Sequence, residues 1–215
     1  MPAIVSIIDD DPAVLDAVGL LLRAKGFAVA CHADCRTFLN APAAPGCIIS
    51  DVRMPGMNGL DLLRLLRGID DVRPMILLTG HGDIEMAVQA IRQGAFDFLE
   101  KPFRHERLLG SVRSALAASE RLASEHTELA AMRSRYDALT ERQKQTMRLL
   151  VDGLTNKDIA ARLDISSRTV EIYRAVVMVK MDAKSLAQLV RISLRLEQHH
   201  ADAPPSAHER PSHTR

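Results

Sequence analysis

Carboxylates, a hydroxyl and an ammonium group follow four separate apolar runs in the first half of the chain. In chain order they are Asp9 and Asp10 after residues 3–8, Asp51 after 47–50, Thr79 after 74–78 and Lys101 after 96–99. Carboxylates in one site repel each other unless a cation neutralises them, and an all-oxygen set suits Mg²⁺. A carboxylate beside that ion can attack a phosphoryl group. The set therefore predicts phosphoryl transfer to an aspartate, with Thr79 and Lys101 holding the added oxygens.

These groups can meet only if the apolar runs are parallel strands of one sheet. The sequence predicts strands at 3–8, 27–31, 47–50, 74–78 and 96–99, and helices at 12–25, 34–40, 59–67, 83–93 and from about 104. Asp11 and Pro12 supply an N-cap and first-turn pair, and Gly26 stands where a helix ends. Five successive βα units predict an α/β domain with a five-stranded parallel sheet in flavodoxin-like order. Function in such sheets gathers at the carboxyl ends of the strands.

A long helix is predicted to continue from about 104 to 138, because glycine is absent after Gly110 and proline after Pro102 in this stretch. Seven residues follow an alternating spacing of three and four that is interrupted at Glu125: Ala115, Ala118, Leu122, Leu129, Met132, Tyr136 and Leu139. This weak heptad seam favours two interpretations. The linker helix, residues 121–138, pairs with its copy in a dimer, or it leans on its own first domain.

Four helices with polar starts are predicted between 139 and 198, beginning near 140, 155, 166 and 185. Three pairs resemble capping boxes: Thr140 with Gln143, Thr155 with Asp158, and Ser185 with Gln188. The second and third helices are joined by Asp164-Ile165-Ser166, a spacing typical of a helix-turn-helix unit. Residues 199–215 hold three prolines and almost no large apolar side chains, so we expect a disordered tail.

The second helix of this pair would present an exposed face to DNA bases in the major groove. On that face we expect Thr169, Glu171, Ile172 and Ala175. A glutamate can accept a hydrogen bond from cytosine, and small apolar side chains can contact a thymine methyl group. Phosphate contacts, which position a protein without reading sequence, are assigned to Lys157, Arg168, Arg174 and Lys180.

Composition and charge are consistent with this two-domain arrangement. The chain has 215 residues, of which 47% are hydrophobic and 26% charged, as in ordinary globular proteins. Its net charge of +1 is unevenly distributed: residues 1–120 carry −3, whereas residues 140–198 carry +4, which favours a polyanionic partner for the second domain.

Absence of a signal-peptide pattern and of a long apolar run predicts a cytoplasmic protein without membrane attachment. Three cysteines in that compartment predict free thiols.

Residues 3–120 resemble the receiver domains of two-component response regulators, which have the CheY-like form of the flavodoxin-like fold. Four blocks carry the resemblance: Ile7 to Asp11, Asp51 to Gly59, Leu77 to Gly82 and Phe98 to Phe103. It implies Asp51 as phosphoacceptor, with Mg²⁺ held by Asp9, Asp10, Asp51 and the backbone carbonyl of Arg53. It also implies Thr79 and Phe98 as a switch pair and Lys101 as a phosphoryl contact, followed by a cis bond to Pro102.

Residues 139–196 resemble the helix-turn-helix domains of the FixJ/NarL family, also called LuxR-type, and the two-domain order is most like the FixJ branch. The carrying segments are Leu139 to Arg142, Gly153 to Ala160, Ile165 to Glu171 and Lys180 to Leu186. Two features depart from the family pattern. Tyr173 replaces the usual histidine, so a known DNA site is not transferred, and the start at Lys144 to Met147 differs, which affects the packing of the first helix.

The resemblance implies a phosphorylation-controlled transcriptional regulator rather than an enzyme, with only self-phosphorylation from a donor and slow dephosphorylation. Its implied partners are a sensor histidine kinase and double-stranded promoter DNA, with RNA polymerase as a further candidate, and activation is the implied sign. Phosphorylation would drive homodimerisation through the fourth helix, fifth strand and fifth helix. Ile84, Val88 and Arg92 recur at four-residue spacing on that fourth helix as a candidate dimer patch; alternatively, Ile84 and Val88 pack on the sheet.

Two other functional classes have partial support in the sequence. Asp9-x-Asp11 superficially resembles the nucleophile motif of haloacid-dehalogenase-like phosphatases, but Ala13 stands where those enzymes carry threonine or valine. The segment from Asp51 to Asn58 has no counterpart in them. The four C-terminal helices could alternatively form a protein-binding module. Multiple turnover of a phosphate ester would favour the phosphatase, whereas one slowly lost phosphoryl group on Asp51 would favour the receiver.

Overall fold

The computed structural model describes residues 3–80 and 84–201, and the side chains of Ile84 and residues 199–201 lie outside this description. The chain divides into two compact units, Met1–Glu125 and His126–Arg215. Among the helices of the described ranges, none combines the length and apolar character needed to cross a membrane.

The first unit is a parallel sheet with helices on both faces. The strands are β1 (Ile4–Ile8), β2 (Ala28–His32), β3 (Gly46–Asp51), β4 (Met75–Thr79) and β5 (Asp97–Glu100). The helices are α1 (Pro12–Ala24), α2 (Cys35–Asn40), α3 (Gly59–Gly68), α4 (Ile84–Arg92) and the beginning of α5 (His105–Asp137). The strand order among the described residues is β2-β1-β3-β4-β5, with every pair parallel. The predicted flavodoxin-like order is confirmed.

Local signals set the element boundaries of this sheet. The side chain of Asp11 accepts a hydrogen bond from the backbone N–H of Ala13 at 2.9 Å, and Pro12 occupies the first helical position. Gly26 follows the helix with φ +85°, a conformation that costs glycine little. Strands β3 and β4 are buried along their whole length because helices cover both faces. The sheet is therefore a rigid base whose strand ends hold the polar groups.

Helix α5 is one continuous helix of 33 residues, and its two ends belong to different cores. Ala115 is buried with the strands of the first unit. Leu129, Met132 and Tyr136 pack against the hydrophobic core of the second unit. Every residue from 120 to 128 is exposed. The two interpretations of the heptad seam were pairing with a second copy and packing on the first domain. Neither describes these contacts, because the C-terminal part of α5 packs against the helices that follow it in the same chain.

The second unit is helical, with α6 (Glu141–Val151), α7 (Asn156–Leu163), α8 (Ser167–Lys180) and α9 (Leu186–Ala201) after the end of α5. The capping boxes predicted at Thr140 and Thr155 are both present. The third prediction is half right: Ser185 accepts from the N–H of Gln188, but the Gln188 side chain accepts from the N–H of Lys184 at 2.9 Å.

The predicted tail at 199–215 is corrected at its start, because α9 continues to Ala201. The remaining tail residues, 202–215, lie outside the described part of the chain.

Because residues 126–138 pack on the second core, they should stabilise that unit. We expect a fragment 126–201 to be more stable than a fragment 139–201 by about 2–4 kcal/mol, since three partly buried large side chains are removed. Urea denaturation followed by circular dichroism measures the difference. Within the longer fragment, Met132→Ala should lower stability and the exposed His126→Ala should leave it unchanged. Equal unfolding midpoints for the two fragments would contradict the packing.

Candidate phosphorylation site and nucleic-acid interface

The carboxyl ends of β1, β3 and β5 bring two buried carboxylates to one ammonium group. The Nζ of Lys101 lies 2.7 Å from Oδ2 of Asp9 and 2.6 Å from Oδ1 of Asp51. Asp9 is only 1% exposed and Asp51 only 7%. Residues separated by 92 and 50 positions in the chain thus meet in one hydrogen-bonded cluster. These three side chains thus meet at the carboxyl edge of the sheet, as the sequence predicts.

The electrostatic balance of the cluster keeps the lysine protonated. Burial of Lys101 opposes its charge, but hydrogen bonds and Coulombic attraction from Asp51 and Asp9 outweigh burial and raise the pKa of the ammonium above its ordinary value. The ammonium therefore stays charged at neutral pH. It neutralises part of the repulsion between two carboxylates that water screens little.

Backbone amides orient the other oxygen of each carboxylate. Oδ2 of Asp51 accepts a hydrogen bond from the N–H of Arg53 at 2.6 Å, and Oδ1 of Asp9 accepts from the N–H of Asp11 at 3.0 Å. Sequence reasoning gave Arg53 a role through its carbonyl and missed the bond from its N–H. Each carboxylate is consequently held at both ends, which fixes the direction of its lone pairs.

Gly59 lets the first turn of α3 approach the acceptor strand. A Cβ at this position would collide with the backbone carbonyl oxygen of Asp51. The N–H of Gly59 donates to the carbonyl of Val52 at 3.0 Å, and Asn58 caps the helix by accepting from the N–H of Asp61 at 2.9 Å. The role of Gly59 was not predicted, although an Asn-Gly pair before a helical pattern is the signal that could have revealed it.

The donor set of this cluster fits a magnesium ion. Asp9 and Asp51 supply two carboxylates, and the Arg53 carbonyl belongs to the loop that the Asp51 side chain engages. Mg²⁺ needs only one or two protein carboxylates and keeps several waters. Asp10 is exposed. Within 3–80 and 84–201, no group of three or more histidine, cysteine or acidic side chains forms a metal-binding cluster, so Asp10 remains a predicted ligand only.

Thr79 and Phe98, the predicted switch pair, lie on neighbouring strands. Thr79 is fully buried at the end of β4, and its carbonyl accepts from the N–H of Lys101 at 2.6 Å. Phe98 is half-buried and packs against the core cluster that contains Leu77. The Lys101–Pro102 bond is cis, as the resemblance implies. The switching roles themselves stay predictions.

The surface of α4 and β5 carries exposed apolar side chains. Val88 is 45% exposed and Arg92 is exposed, which contradicts the alternative that Val88 packs on the sheet. The side chain of Ile84 lies outside the described residues. Ile91 and Phe96 are also exposed and were not predicted.

An ion pair lies near this surface, between Arg107 of α5 and Asp97 of β5, with contacts of 2.7 and 2.9 Å. Partial burial of Asp97 opposes its charge, but the hydrogen bonds from Arg107 outweigh burial and lower the pKa of the carboxyl. The pair therefore fixes a charged group at the start of β5.

Helices α7 and α8 form the predicted helix-turn-helix. Asp164 takes a left-handed conformation with φ +54° and ends α7. Ser166 then caps α8 by accepting from the N–H of Thr169 at 3.0 Å. Val170, Val177 and Met181 anchor α8 in the core. The opposite face of α8 is left to solvent.

Seven of the eight predicted DNA contacts are exposed: Lys157, Arg168, Glu171, Ile172, Arg174, Ala175 and Lys180. Thr169 is half-buried, and its hydroxyl is paired with the Ser166 hydroxyl at 2.8 Å, so it serves the cap. The ammonium of Lys180 donates to the carbonyl of Ala138 at 2.9 Å and to Oε1 of Gln143 at 3.1 Å. These bonds join the end of α8 to the residue that follows α5 and to the first turn of α6. Lys180 is therefore removed from the proposed phosphate contacts.

Comparison with known proteins identifies both units. Residues 5–113 match the response regulator receiver domain, and residues 137–193 match the bacterial regulatory proteins of the luxR family. The transcriptional regulatory protein FixJ of Bradyrhizobium diazoefficiens is 44% identical over 191 residues, covering 88% of this chain and 93% of that protein. The response regulator protein TodT of Pseudomonas putida is 42% identical over 197 residues, covering 91% and 87%.

Solved structures agree with these matches. The response regulator StyR superposes with a TM-score of 0.82 at 35% identity, covering 91% of this chain and all of that one. Full-length FixJ from B. japonicum gives a TM-score of 0.56 at 42% identity, covering 91% and 98%. The chain belongs to the two-component response regulators that join a receiver domain to a LuxR-type DNA-binding domain.

Proposed function

We propose that Asp51 accepts a phosphoryl group from a sensor histidine kinase and that this controls promoter binding by the helical unit. The observation that supports the proposal best is the position of Lys101, whose ammonium bridges two buried carboxylates at the carboxyl edge of the sheet. A buried acidic pair with a shared cation, on a fold that gathers function at this edge, is suited to phosphoryl chemistry.

The chemistry is a displacement at phosphorus. Asp51 provides the attacking carboxylate oxygen, the bond between phosphorus and the nitrogen of the kinase histidine breaks, and the nitrogen keeps the electron pair. The N–H of Arg53 fixes the orientation of Asp51 before attack. Lys101 is already charged and within reach of the acceptor, so it can stabilise the new phosphoryl oxygens.

Asp9, Asp51 and the Arg53 carbonyl would hold Mg²⁺, with Asp10 as a further proposed ligand. The ion would neutralise charge on the transferring phosphoryl group and orient it. Asp9 keeps its own fixed orientation through the N–H of Asp11. Thr79, fully buried beside this cluster, and Phe98 on the next strand are the proposed switch residues.

Phosphorylation would lead to homodimerisation and to binding of promoter DNA in the cytoplasm. The protein would then act as an activator that cooperates with RNA polymerase. Val88 and Arg92 on α4, together with Ile84, are the proposed dimer patch, extended by the exposed Ile91 and Phe96. Two helix-turn-helix units in a dimer reach half-sites about one DNA turn apart.

Asp51→Asn should abolish phosphoryl uptake from acetyl phosphate with Mg²⁺, because an amide cannot act as the attacking carboxylate that we assign to Asp51. Intact-mass spectrometry measures the added phosphoryl group. Asp16→Asn, an exposed aspartate on α1, is the matched control and should be phosphorylated normally. Full-stoichiometry labelling of the Asp51 variant would contradict the assignment, and repeated turnover of phosphate esters by the parent would favour the phosphatase class.

Arg168→Ala should weaken binding to duplex DNA of any sequence and reduce the salt slope, d log K/d log [salt], by about 1, because one phosphate contact is lost. Lys180→Ala, which removes an equal charge from a group bonded inside the unit, should leave the slope unchanged. Fluorescence anisotropy over a salt series measures both. Equal slope changes in the two variants would reject the distinction between these cations.

Beryllofluoride with Mg²⁺ should convert the monomer to a dimer through the α4 surface. Ile91→Glu should prevent the change in mass, because it places a charge in an apolar contact, whereas Leu20→Glu on the exposed part of α1 should not. Sedimentation equilibrium gives the mass in each state. A treated protein that stays monomeric while gaining DNA affinity would reject dimerisation as the switch.

A further inference from the structure

The outward face of α8 carries an apolar stripe. Arg168, Ile172, Ala175 and Val179 follow each other at spacings of four, three and four, and so lie in one row along the helix. The row is opposite to the buried Val170 and Val177. Ile172 is 55% exposed and Val179 is 80% exposed. Three of the four members of this outer stripe therefore have no group that can form a hydrogen bond.

Exposed β-branched residues are a poor choice for the outside of a helix. They restrict χ1, and charged or straight-chain residues form helices better and stay soluble. Single exposed apolar side chains need no explanation, but Ile172 and Val179 are two turns apart in the same row, with only Ala175 between them. Where a sequence breaks a local rule without compensation in its own fold, a functional contact is the expected reason.

The position of the stripe indicates what covers it. It is the exposed face of the second helix of a helix-turn-helix, which enters the major groove. The exposed cations Arg168 and Arg174 lie on the same helix, and Lys157 lies in the first turn of α7. This arrangement suits DNA, whose major groove lies between two rows of phosphates.

Major-groove edges are polar except for one group, the C5 methyl of thymine. An isoleucine or valine facing guanine or adenine would leave base acceptors without partners, at a cost in free energy, whereas a thymine methyl offers an apolar contact. Seven residues separate Ile172 from Val179, about 10 Å of helix at 1.5 Å per residue. That length corresponds to about three base pairs at 3.4 Å each.

We propose that Ile172 and Val179 are specificity-determining residues that contact thymine methyl groups about three base pairs apart in each half-site, with Ala175 allowing close approach between them. The proposal deepens, and rests on, the DNA-binding role of the helical unit. It adds Val179 to the reading face and makes part of the recognition apolar, independent of the phosphate contacts.

The test removes the methyl groups from the DNA. Sequences are selected by the beryllofluoride-activated full-length protein from a random duplex pool. The affinity for the selected duplex is then measured with thymine and with uracil at each thymine position. Loss of one contacted methyl should weaken binding about threefold to fivefold. This factor corresponds to the transfer free energy of one buried carbon. Effects should occur at two positions about three base pairs apart.

Variants assign each methyl to a residue through a double-mutant cycle. Val179→Ala should abolish the preference for thymine over uracil at one position, and Ile172→Ala at the other. Leu194→Ala, which truncates a half-exposed aliphatic residue on α9, should leave both preferences unchanged. Equal affinity for the thymine and uracil duplexes, or preferences that persist in both variants, would overturn the proposal while leaving DNA binding intact. Failure to select any duplex would overturn the DNA-binding role and the proposal with it.

Discussion

The bridge from Lys101 to Asp9 and Asp51 is the interaction on which the first unit depends. Two almost completely buried carboxylates lie against one ammonium, and its positive charge offsets the repulsion between them. The lysine reaches them only because β5 ends beside β4, whose last carbonyl accepts from the lysine N–H. The cluster therefore depends on the order and length of the strands, and on the close approach of Gly59 to β3.

The receiver fold could be predicted from sequence because its signals are local and agree with each other. Apolar runs bounded by glycine, proline and aspartate located each strand to within about one residue, and Asp11 with Pro12 marked the start of α1. The meeting of Asp9, Asp51 and Lys101 followed from parallel topology alone. Asp10 was different, since three adjacent aspartates do not reveal which ones turn inward, and the structure leaves Asp10 exposed.

The predictions that needed correction concern the partner of a residue rather than its position. The heptad spacing of α5 correctly gave an apolar face, but the same spacing serves a dimer seam and an intramolecular contact, and Leu129 and Met132 make the latter. Lys180 has a long flexible stem, so sequence could not show that its ammonium reaches Ala138 and Gln143. Thr169 was assigned to DNA by helical position, whereas its hydroxyl pairs with the N-cap.

Helix α5 has a thermodynamic consequence that follows from its exposed middle. Residues before 120 and after 128 are stabilised by two separate cores, whereas the stretch between them is exposed and contributes no buried side chain to either core. Short isolated helical segments are marginal in water. This stretch is accordingly the part of α5 where local unfolding costs the least, and amide hydrogen exchange there should be fastest. Helix could therefore be lost in this stretch without unfolding either core.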